Sequence, residues 1–221
     1  MYNFRKMNSI KVINFDKGGG KKGRTVKMFP NILRCGIFRP SGCGKTNVLM
    51  TILLHVRPFR NIYLCSKTSY QEKYTQLREL VNDYNKSNKP KITLHDVVAL
   101  PEPENVAPRS IVIFDDILTE NQDKIANFFL RGRHREISCF YLAQSYTKIP
   151  KKSGIRENFN YLILFRQDQV NLRQIYTEYV TDLNFEQFRQ LCDKCWREPY
   201  GFLVVDLESS CKYKKKFEQC L

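Results

Sequence analysis

A lysine and a threonine follow directly on a short loop that contains two glycines, and their types and spacing suit the binding of phosphate. The stretch comprises Pro40, Ser41, Gly42, Cys43, Gly44, Lys45, Thr46 and Asn47. Glycines let consecutive backbone N–H groups turn around an anion without a Cβ in the way, and the positive end of a following helix adds attraction. A lysine at this spacing reaches the β- and γ-phosphates of a nucleotide, and the hydroxyl after it holds Mg²⁺. The sequence therefore predicts a phosphate-binding loop, with Lys45 as a catalytic cation and Thr46 as a metal ligand.

The segments on either side of this loop fit the same role. Residues 32–38 are an apolar run that predicts a strand, and residues 47–56 are an apolar, helix-forming run. Strand, glycine loop, Lys-Thr and helix is the order of parts in a P-loop. The full pattern also asks for a glycine five places before Gly44, where this chain has Arg39. A glycine-rich turn between strand and helix, with no ligand, stays open as the alternative.

Two adjacent carboxylates, Asp115 and Asp116, follow the apolar residues 111–114. Such a run is typical of a central parallel strand that is buried on both faces. Ligands bind at the carboxyl ends of such strands, so Asp115 is predicted to hold the same Mg²⁺ as Thr46. Asp116 is predicted to polarise the attacking water as a general base. The alternative is that the pair caps the following helix, because aspartate is a favoured N-cap residue.

A glutamine and an arginine cluster lie on either side of the strand predicted at residues 138–143. Gln144 follows that strand and is predicted to sense the γ-phosphate or to orient water. Arg131 and Arg133 precede it, and either could act as an arginine finger towards a neighbouring subunit. The alternative is an ordinary exposed basic face, with His134 as a packing or surface histidine.

The composition predicts a globular protein with an anionic partner. Its 221 residues include 15 Phe and 12 Tyr, too many aromatic residues for a disordered chain. The net charge of +15 favours nucleic acid or an anionic membrane surface as partner, the alternative being a merely soluble basic protein. The longest apolar run, residues 48–56, is far short of the roughly 18–20 residues that span a bilayer, and residues 1–10 lack the apolar part of a secretory signal.

Eight scattered cysteines fit a reducing compartment. Cys192 and Cys195, with Cys211 and Cys220 further on, raise the question of a zinc site. The first pair falls inside an apparent helix and the last two are unsuitably spaced, so buried thiols are the favoured interpretation.

Alternating strand and helix signals predict an α/β protein with a mostly parallel sheet flanked by helices. Residues 1–28 are a basic, partly flexible N-terminal segment, residues 29–169 the P-loop core, and residues 170–221 C-terminal helices, a final strand and a basic tail. Strands are predicted at residues 32–38, 60–66, 110–114, 138–143, 161–165 and 201–206, and helices at residues 47–56, 70–84, 123–133, 170–180 and 185–196. Residues 92–100 are ambiguous.

Several longer motifs carry a resemblance to a known family. They are PSGCGKT at residues 40–46, IVIFDD at 111–116, RGRHREISCFYLAQSYTKIPK at 131–151, IRENFNYLILF at 155–165, NLRQIYTEYV at 171–180 and CWREPYGFLVVD at 195–206. With these motifs, residues 29–206 resemble the DNA-packaging ATPases of the FtsK–HerA superfamily. The resemblance is to the poxvirus-like packaging ATPases of large DNA viruses, with a particular likeness to those of Polinton/Maverick elements and adintovirus-type genomes. The succession of RGRH, strand, glutamine, IPK and IRxN is more specific than the P-loop.

The resemblance implies an additional-strand P-loop fold, with the first five predicted core strands in the order 5-1-4-3-2, assembled as a hexameric or pentameric ring around double-stranded DNA. It implies ATP and Mg²⁺ as cofactors, Lys45 and Thr46 as Walker A residues, and Asp115 as the Walker B metal ligand. Asp116 stands where many relatives carry the catalytic glutamate. Gln144 would be the strand-tip sensor, and Arg133, or as second choice Arg131, the finger.

The expected function is that of an ATP-hydrolysing motor that packages a viral or virus-like genome into a capsid. A capsid or portal-vertex protein is the further expected partner, and no membrane is expected. The expected location is the nucleus or a viral assembly site, the short basic runs at residues 21–24 and 214–216 favouring the nucleus. Two alternatives stay open: a DNA translocase or helicase outside packaging, and a non-catalytic nucleotide- or DNA-binding subunit, which Arg39 suggests.

Overall fold

The computed structural model describes residues 29–39, 44–56, 59–67 and 72–219. The N-terminal segment 1–28 and the loop residues Pro40, Ser41, Gly42 and Cys43 lie outside the described residues. The strands are β1 Arg34–Phe38, β2 Asn61–Ser66, β3 Thr93–Asp96, β4 Ser110–Asp115, β5 Ser138–Ala143, β6 Tyr161–Leu164, β7 Leu203–Asp206, β8 Tyr213–Lys215 and β9 Glu218–Gln219. The α-helices are α1 Lys45–Leu53, α2 Glu72–Ser87, α3 Gln122–Arg131, α4 Gln169–Tyr179 and α5 Phe185–Trp196.

All the strands belong to one sheet, in the order β3-β2-β4-β5-β1-β6-β7-β8-β9. The pairs from β3 through to β6 are parallel, whereas β7, β8 and β9 add antiparallel strands beyond β6. The predicted α/β class is confirmed. Within the sheet, the five predicted core strands follow one another as β6-β1-β5-β4-β2, which is the expected order 5-1-4-3-2. The complete order is longer, because β3 extends one side and β7 to β9 extend the other.

Helices cover both faces of the sheet, and the residues of β4 alternate between the two layers. Val112 and Phe114 pack with α3, α4 and α5, while Ile111 and Ile113 pack with α1 and α2. Every residue of β4 is buried. A strand that faces apolar helices on both sides has no solvent-exposed position, which explains its unbroken apolar sequence.

The C-terminal elements join the same core. Trp196, at the end of α5, donates its indole N–H to the carbonyl of Leu164 in β6 at 2.8 Å. Phe188 of α5 and Ile175 of α4 are fully buried in the cluster that also contains Phe114. The sheet therefore continues from the P-loop core into the C-terminal residues.

The structure corrects the sequence interpretation in three places. The ambiguous residues 92–100 contain a short strand, β3, whose residues are at most half-buried, so it has no clear apolar alternation. The strand at residues 201–206 is not the final one, because Tyr213–Lys215, in the predicted basic tail, form β8. The helix predicted at residues 123–133 ends at Arg131, and Gly132–Arg135 continue it as a 3-10 helix.

In the described ranges, no helix combines the length and the apolar character that crossing a bilayer requires.

Candidate active site

The predicted phosphate loop ends at Gly44, which is the N-cap of α1 with φ of 85°. This left-handed conformation is one that glycine adopts readily and residues with a Cβ adopt rarely. Gly44 has no side chain that could cap the start of α1 by a hydrogen bond. The first N–H groups of an α-helix have no partner within the helix, so this end of α1 suits an anion. The assignments of Pro40, Ser41, Gly42 and Cys43 fall outside the described residues and stay predictions.

Lys45 is the first residue of α1 and connects the helix back to the end of β1. Its Nζ donates a hydrogen bond to the carbonyl oxygen of Arg39 at 2.6 Å. The N–H of Arg39 in turn donates to the carbonyl of Ala143 in β5 at 3.1 Å. The ammonium group is therefore held where β1 and β5 meet. Thr46 and Asn47 follow in the first turn of α1, both half-buried.

Asp115 ends β4 and is only 3% exposed. The hydroxyl of Tyr74, on α2, donates a hydrogen bond to its Oδ2. Burial raises the pKa of the Tyr74 phenol, and the negative charge of Asp115 raises it further, so the phenol stays protonated and keeps donating. The alternative interpretation as a helix cap is wrong. Helix α3 begins at Gln122, and Asn121 caps it by accepting from the N–H groups of Asp123 and Lys124.

Asp116 lies next to Asp115 but in a different environment. Its backbone has φ of 57°, and its side chain is exposed. Aspartate tolerates this left-handed conformation better than most residues. The turn in the backbone leaves the carboxylate of Asp115 held in the protein and that of Asp116 in contact with solvent.

Gln144 follows the last residue of β5 and is exposed. Strand β5 lies between β1 and β4, pairing Ala143 with Phe38 on one side and Leu142 with Asp115 on the other. Neighbouring strands are about 4.8 Å apart, so the ends of β1 and β4 are about 10 Å apart, with Gln144 between them. The structure thus brings Lys45, Thr46, Asp115, Asp116 and Gln144 to one edge of the sheet.

Arg131 and Arg133 lie at the opposite edge. Helix α3 leads from the carboxyl end of β4 to the amino end of β5, and the arginines stand just before β5. The six residues of β5 span about 20 Å. Arg131 forms ion pairs with Glu104 at 3.1 Å and Glu102 at 3.8 Å. Arg133 is exposed and has no ion-pair partner among the described residues, and His134 is exposed as well.

Two residues at the edge that carries Lys45 and Asp115 were not predicted from the sequence. Tyr74 falls within the helix predicted at residues 70–84, where a tyrosine among Leu and Val residues was a possible signal of a buried polar contact. Tyr200 lies beside the start of α1: a Cβ built on Gly44 would be 3.6 Å from its Cδ1. Since Tyr200 follows Gly44 by more than 150 residues, no local pattern connects the two.

The cysteines of the supposed zinc motif are in the core. Cys192 and Cys195 are fully buried in α5, and burial raises the pKa of the Cys192 thiol. Cys211 is half-buried, and Cys220 lies outside the described residues. In the part of the chain that the structure describes, no three His, Cys, Asp or Glu side chains are grouped as metal ligands.

The fold is similar to that of a solved viral NTPase. The genome packaging NTPase B204 from Sulfolobus turreted icosahedral virus 2, in complex with ATP-gammaS, is 12% identical with a TM-score of 0.54, over 87% of this chain and 100% of that chain. Its complex with AMP gives 12% identity and a TM-score of 0.58, over 85% and 98%. The DNA-packaging ATPase B204 from Sulfolobus turreted icosahedral virus gives 14% and 0.53, over 84% and 97%. At these identities the likeness establishes a shared fold.

A comparison with curated protein sequences finds no match. A family model does match: that of the poxvirus A32 protein, over residues 24–184. The match covers the strands from β1 to β6, the phosphate loop, both aspartates and Gln144. It extends over well more than half of the chain and confirms the expected relationship to the poxvirus-like ATPases. The chain therefore belongs to the poxvirus A32 protein family.

Proposed function

We propose that this chain is an ATP-hydrolysing motor that translocates double-stranded DNA and packages a viral or virus-like genome into a capsid. The observation that carries the proposal is the meeting of Lys45, Thr46, Asp115, Asp116 and Gln144 at one edge of the sheet. Membership in the poxvirus A32 family and a fold shared with a genome packaging NTPase support it.

The residues at this edge have separate roles in hydrolysis. The N–H groups at the start of α1 and the ammonium of Lys45 bind the phosphates of ATP. The hydroxyl of Thr46 and the buried carboxylate of Asp115 are hard oxygen ligands, which fit Mg²⁺. When bound, Mg²⁺ neutralises charge that develops on the β- and γ-phosphate oxygens.

Asp116 and Gln144 act on the attacking water. The carboxylate of Asp116 accepts a proton from the water and directs it in line with the γ-phosphate. The side-chain amide of Gln144 can donate to a γ-phosphate oxygen and accept from the water. Both side chains are exposed, so a water molecule reaches them without any movement of the fold.

An arginine from a neighbouring copy completes the site. Arg131 and Arg133 are about the length of β5 away from Gln144 of their own chain, farther than an arginine side chain extends, so they can serve only another subunit. Arg133 is the first choice, because Arg131 already pairs with Glu102 and Glu104. This arrangement requires a ring or filament of copies, and the proposed assembly is a hexameric or pentameric ring.

The charge of the chain supports DNA as the polymer that is moved. With 37 Lys and Arg against 22 Asp and Glu, the chain attracts polyanions through counterion release, whatever their sequence. The proposed further partner is a capsid or portal-vertex protein, and the proposed location is the site of viral assembly in the host cell. Of the two basic runs, residues 21–24 lie outside the described residues, and residues 214–216 make ion pairs with Asp206 and Glu198, so neither adds support for the nucleus.

The non-catalytic alternative depended on Arg39, which replaces the first glycine of the pattern. Arg39 does not have a left-handed backbone, so its side chain causes no strain of the kind that would demand glycine. Its guanidinium packs over the ring of Phe165 at 4.9 Å. Arginine is therefore accommodated at this position, which favours a working site over a degraded one.

The test is steady-state ATPase activity with and without double-stranded DNA. The wild type should hydrolyse ATP faster with DNA, Lys45→Ala should lose nucleotide binding, and Asp116→Asn should still bind ATP but lose turnover. Asparagine tolerates the left-handed backbone of Asp116, so this variant removes the charge without strain. Asp83→Asn, on the exposed face of α2, is the matched control and should behave as wild type. Nucleotide binding without turnover, even with DNA and at high protein concentration, would favour the non-catalytic alternative.

Mixed assemblies test the arginine. Arg133→Ala has intact phosphate loops, and Lys45→Ala has an intact Arg133. Each variant alone should be inactive, and mixing them should restore activity at the interfaces where an intact loop faces an intact arginine. Arg131→Ala in the same experiment should stay active on its own. If mixtures stay inactive, Arg133 does not act in trans.

A further inference from the structure

Tyr200 is a large aromatic side chain that the core does not use. It is 65% exposed, although it lies beside the first turn of α1. Its backbone has φ of 58°, a conformation that is uncommon for a residue with a Cβ and that is often found at ligand-binding sites. The ring faces Arg39, whose guanidinium carbon is 5.9 Å from the ring centroid.

The turn that carries Tyr200 is firmly attached to the protein. Glu198 accepts from Lys215 at 2.6 Å and from Lys216 at 3.0 Å. The N–H of Gly201 donates to the carbonyl of Glu198 at 3.0 Å. A Cβ on Gly201 would lie 2.2 Å from the carbonyl oxygen of Cys195, so the chain passes too close to α5 for any other residue. These contacts fix the position of an exposed ring beside Gly44.

Tyr200 and the two aspartates lie on opposite sides of β1 and its phosphate loop. Asp115, Asp116 and Gln144 lie on the β5 and β4 side of β1, where the metal and the γ-phosphate belong. Tyr200 lies on the other side, at the turn between α5 and β7, with Phe165 at the end of β6. A nucleotide whose phosphates lie at the start of α1, with its γ-phosphate towards the aspartates, would have its base on the side of β6 and β7.

We propose that Tyr200 is the stacking partner of the nucleotide base. This inference rests on the proposed function, since it assumes that the loop at Gly44 holds the phosphates. The face of the phenol ring stacks on the base, and the guanidinium of Arg39, held on the ring of Phe165, borders the same place. Every base has a π-face, and purines offer the larger one, so Tyr200 contributes affinity for purine nucleotides without hydrogen-bond readout.

The test compares a ligand that has a base with one that has none. Dissociation constants for ATP and for inorganic triphosphate, each with Mg²⁺, are measured by calorimetry on the full chain. Tyr200→Ala should weaken ATP binding by about 5- to 150-fold, which is the range of base–aromatic stacking, and leave triphosphate binding unchanged. Tyr200→Phe keeps the ring and should bind ATP as wild type does. Tyr84→Ala removes another exposed tyrosine, on α2, and should change neither constant.

The possible outcomes distinguish a failure of this inference from a failure of the proposed function. Unchanged ATP binding in Tyr200→Ala overturns the stacking role. Equal weakening of ATP and triphosphate overturns it as well, since Tyr200 would then support the loop rather than the base. If the wild type binds neither ligand, the phosphate site itself is wrong and the inference fails with it. If the wild type binds both and Lys45→Ala binds neither, the site stands whatever the result at Tyr200.

Discussion

Tyr74 on α2 donates a hydrogen bond to the carboxylate of Asp115 at the end of β4. The bond joins a helix on one face of the sheet to the residue proposed to hold the metal. It keeps one carboxylate oxygen in place while the side chain is almost fully buried. A metal ligand positioned in this way by a neighbouring donor loses less freedom when the metal binds.

Replacement of Tyr74 by phenylalanine should lower the free energy of unfolding by about 2 kcal/mol, because a hydrogen bond to a charged group contributes about 1.5–3 kcal/mol. Urea unfolding measures the change. The matched control is Tyr84→Phe on the same helix, which should stay within about 0.5 kcal/mol of wild type because Tyr84 is exposed. Equal effects of the two substitutions would mean that the hydrogen bond to Asp115 adds nothing.

Replacement of the buried residue Arg156 should also destabilise the protein strongly. It is 4% exposed, donates to the carbonyl of Thr147 at 2.6 Å and pairs with Glu178 at 3.4 Å. Arg156→Met should lower the free energy of unfolding by about 3 kcal/mol, because it leaves the charge of Glu178 poorly compensated. Arg166→Met, at an exposed arginine, is the control.

A double-mutant cycle with Glu178→Gln separates the pair from its surroundings. The double variant should lose less stability than the two single variants together, with a coupling of about 1 kcal/mol or more. Strict additivity would contradict an interaction between the two side chains.

Replacement by alanine should destabilise the protein at Gly201 but not at Gly132. Gly201→Ala forces a Cβ to within 2.2 Å of the backbone oxygen of Cys195 and should destabilise the protein by about 2 kcal/mol or more. A Cβ on Gly132 would meet Ile137 at an ordinary 3.5 Å, and Gly132 has a helical φ of −57°, so Gly132→Ala should be neutral or stabilising by up to about 1 kcal/mol. Thermal unfolding midpoints of the two variants give the comparison, and a neutral Gly201→Ala would contradict the close approach at α5.

The ion pairs of Glu198 predict a pH dependence. Hydrogen bonds from Lys215 and Lys216 lower the pKa of the Glu198 carboxyl to about 2. A carboxyl with a lowered pKa in the folded state stabilises the protein above its unfolded pKa of about 4.3, and this contribution is lost as the pH falls towards 2. The unfolding midpoint of Glu198→Gln should therefore lie below that of wild type at pH 6, and the difference should shrink steadily below about pH 4.5.

A high salt concentration and a second variant serve as controls for this experiment. Glu198 is exposed, so a high salt concentration should reduce the difference at pH 6. Glu79→Gln, at an exposed glutamate on α2, should follow the wild type at every pH. A difference for Glu198→Gln that is as large at pH 2.5 as at pH 6 would rule out an effect of the carboxylate charge.

Local signals were enough to predict most of the fold. Strand β5 and helix α5 have the predicted bounds, because each has an apolar pattern with the period of its own structure. Strand β8 was missed because its lysines suggested a basic tail, whereas Lys214 pairs with Asp206 of β7 at 2.6 Å. The charge of a segment does not reveal a partner that is distant in sequence.

The residues of the candidate site also fall into two groups, those that the sequence predicted and those that it did not. Asp115 ends β4, Gln144 follows β5 and Lys45 begins α1 after the glycine loop, so the sequence shows both the chemistry of each residue and its position. Tyr74 and Tyr200 reach the site from α2 and from the turn before β7, through contacts that only the packed sheet creates. Their neighbours in sequence carry no sign of those contacts.

The backbone at the two ends of the phosphate loop also bears on how such proteins are found in genomes. Only Gly44 has a conformation that favours glycine, with φ of 85°, whereas Arg39 does not. A search pattern that demands glycine at both positions would pass over this chain. Related genes with a bulky first residue would be missed for the same reason, so a census of this family is better built on Gly44, Lys45 and the aspartate at the position of Asp115.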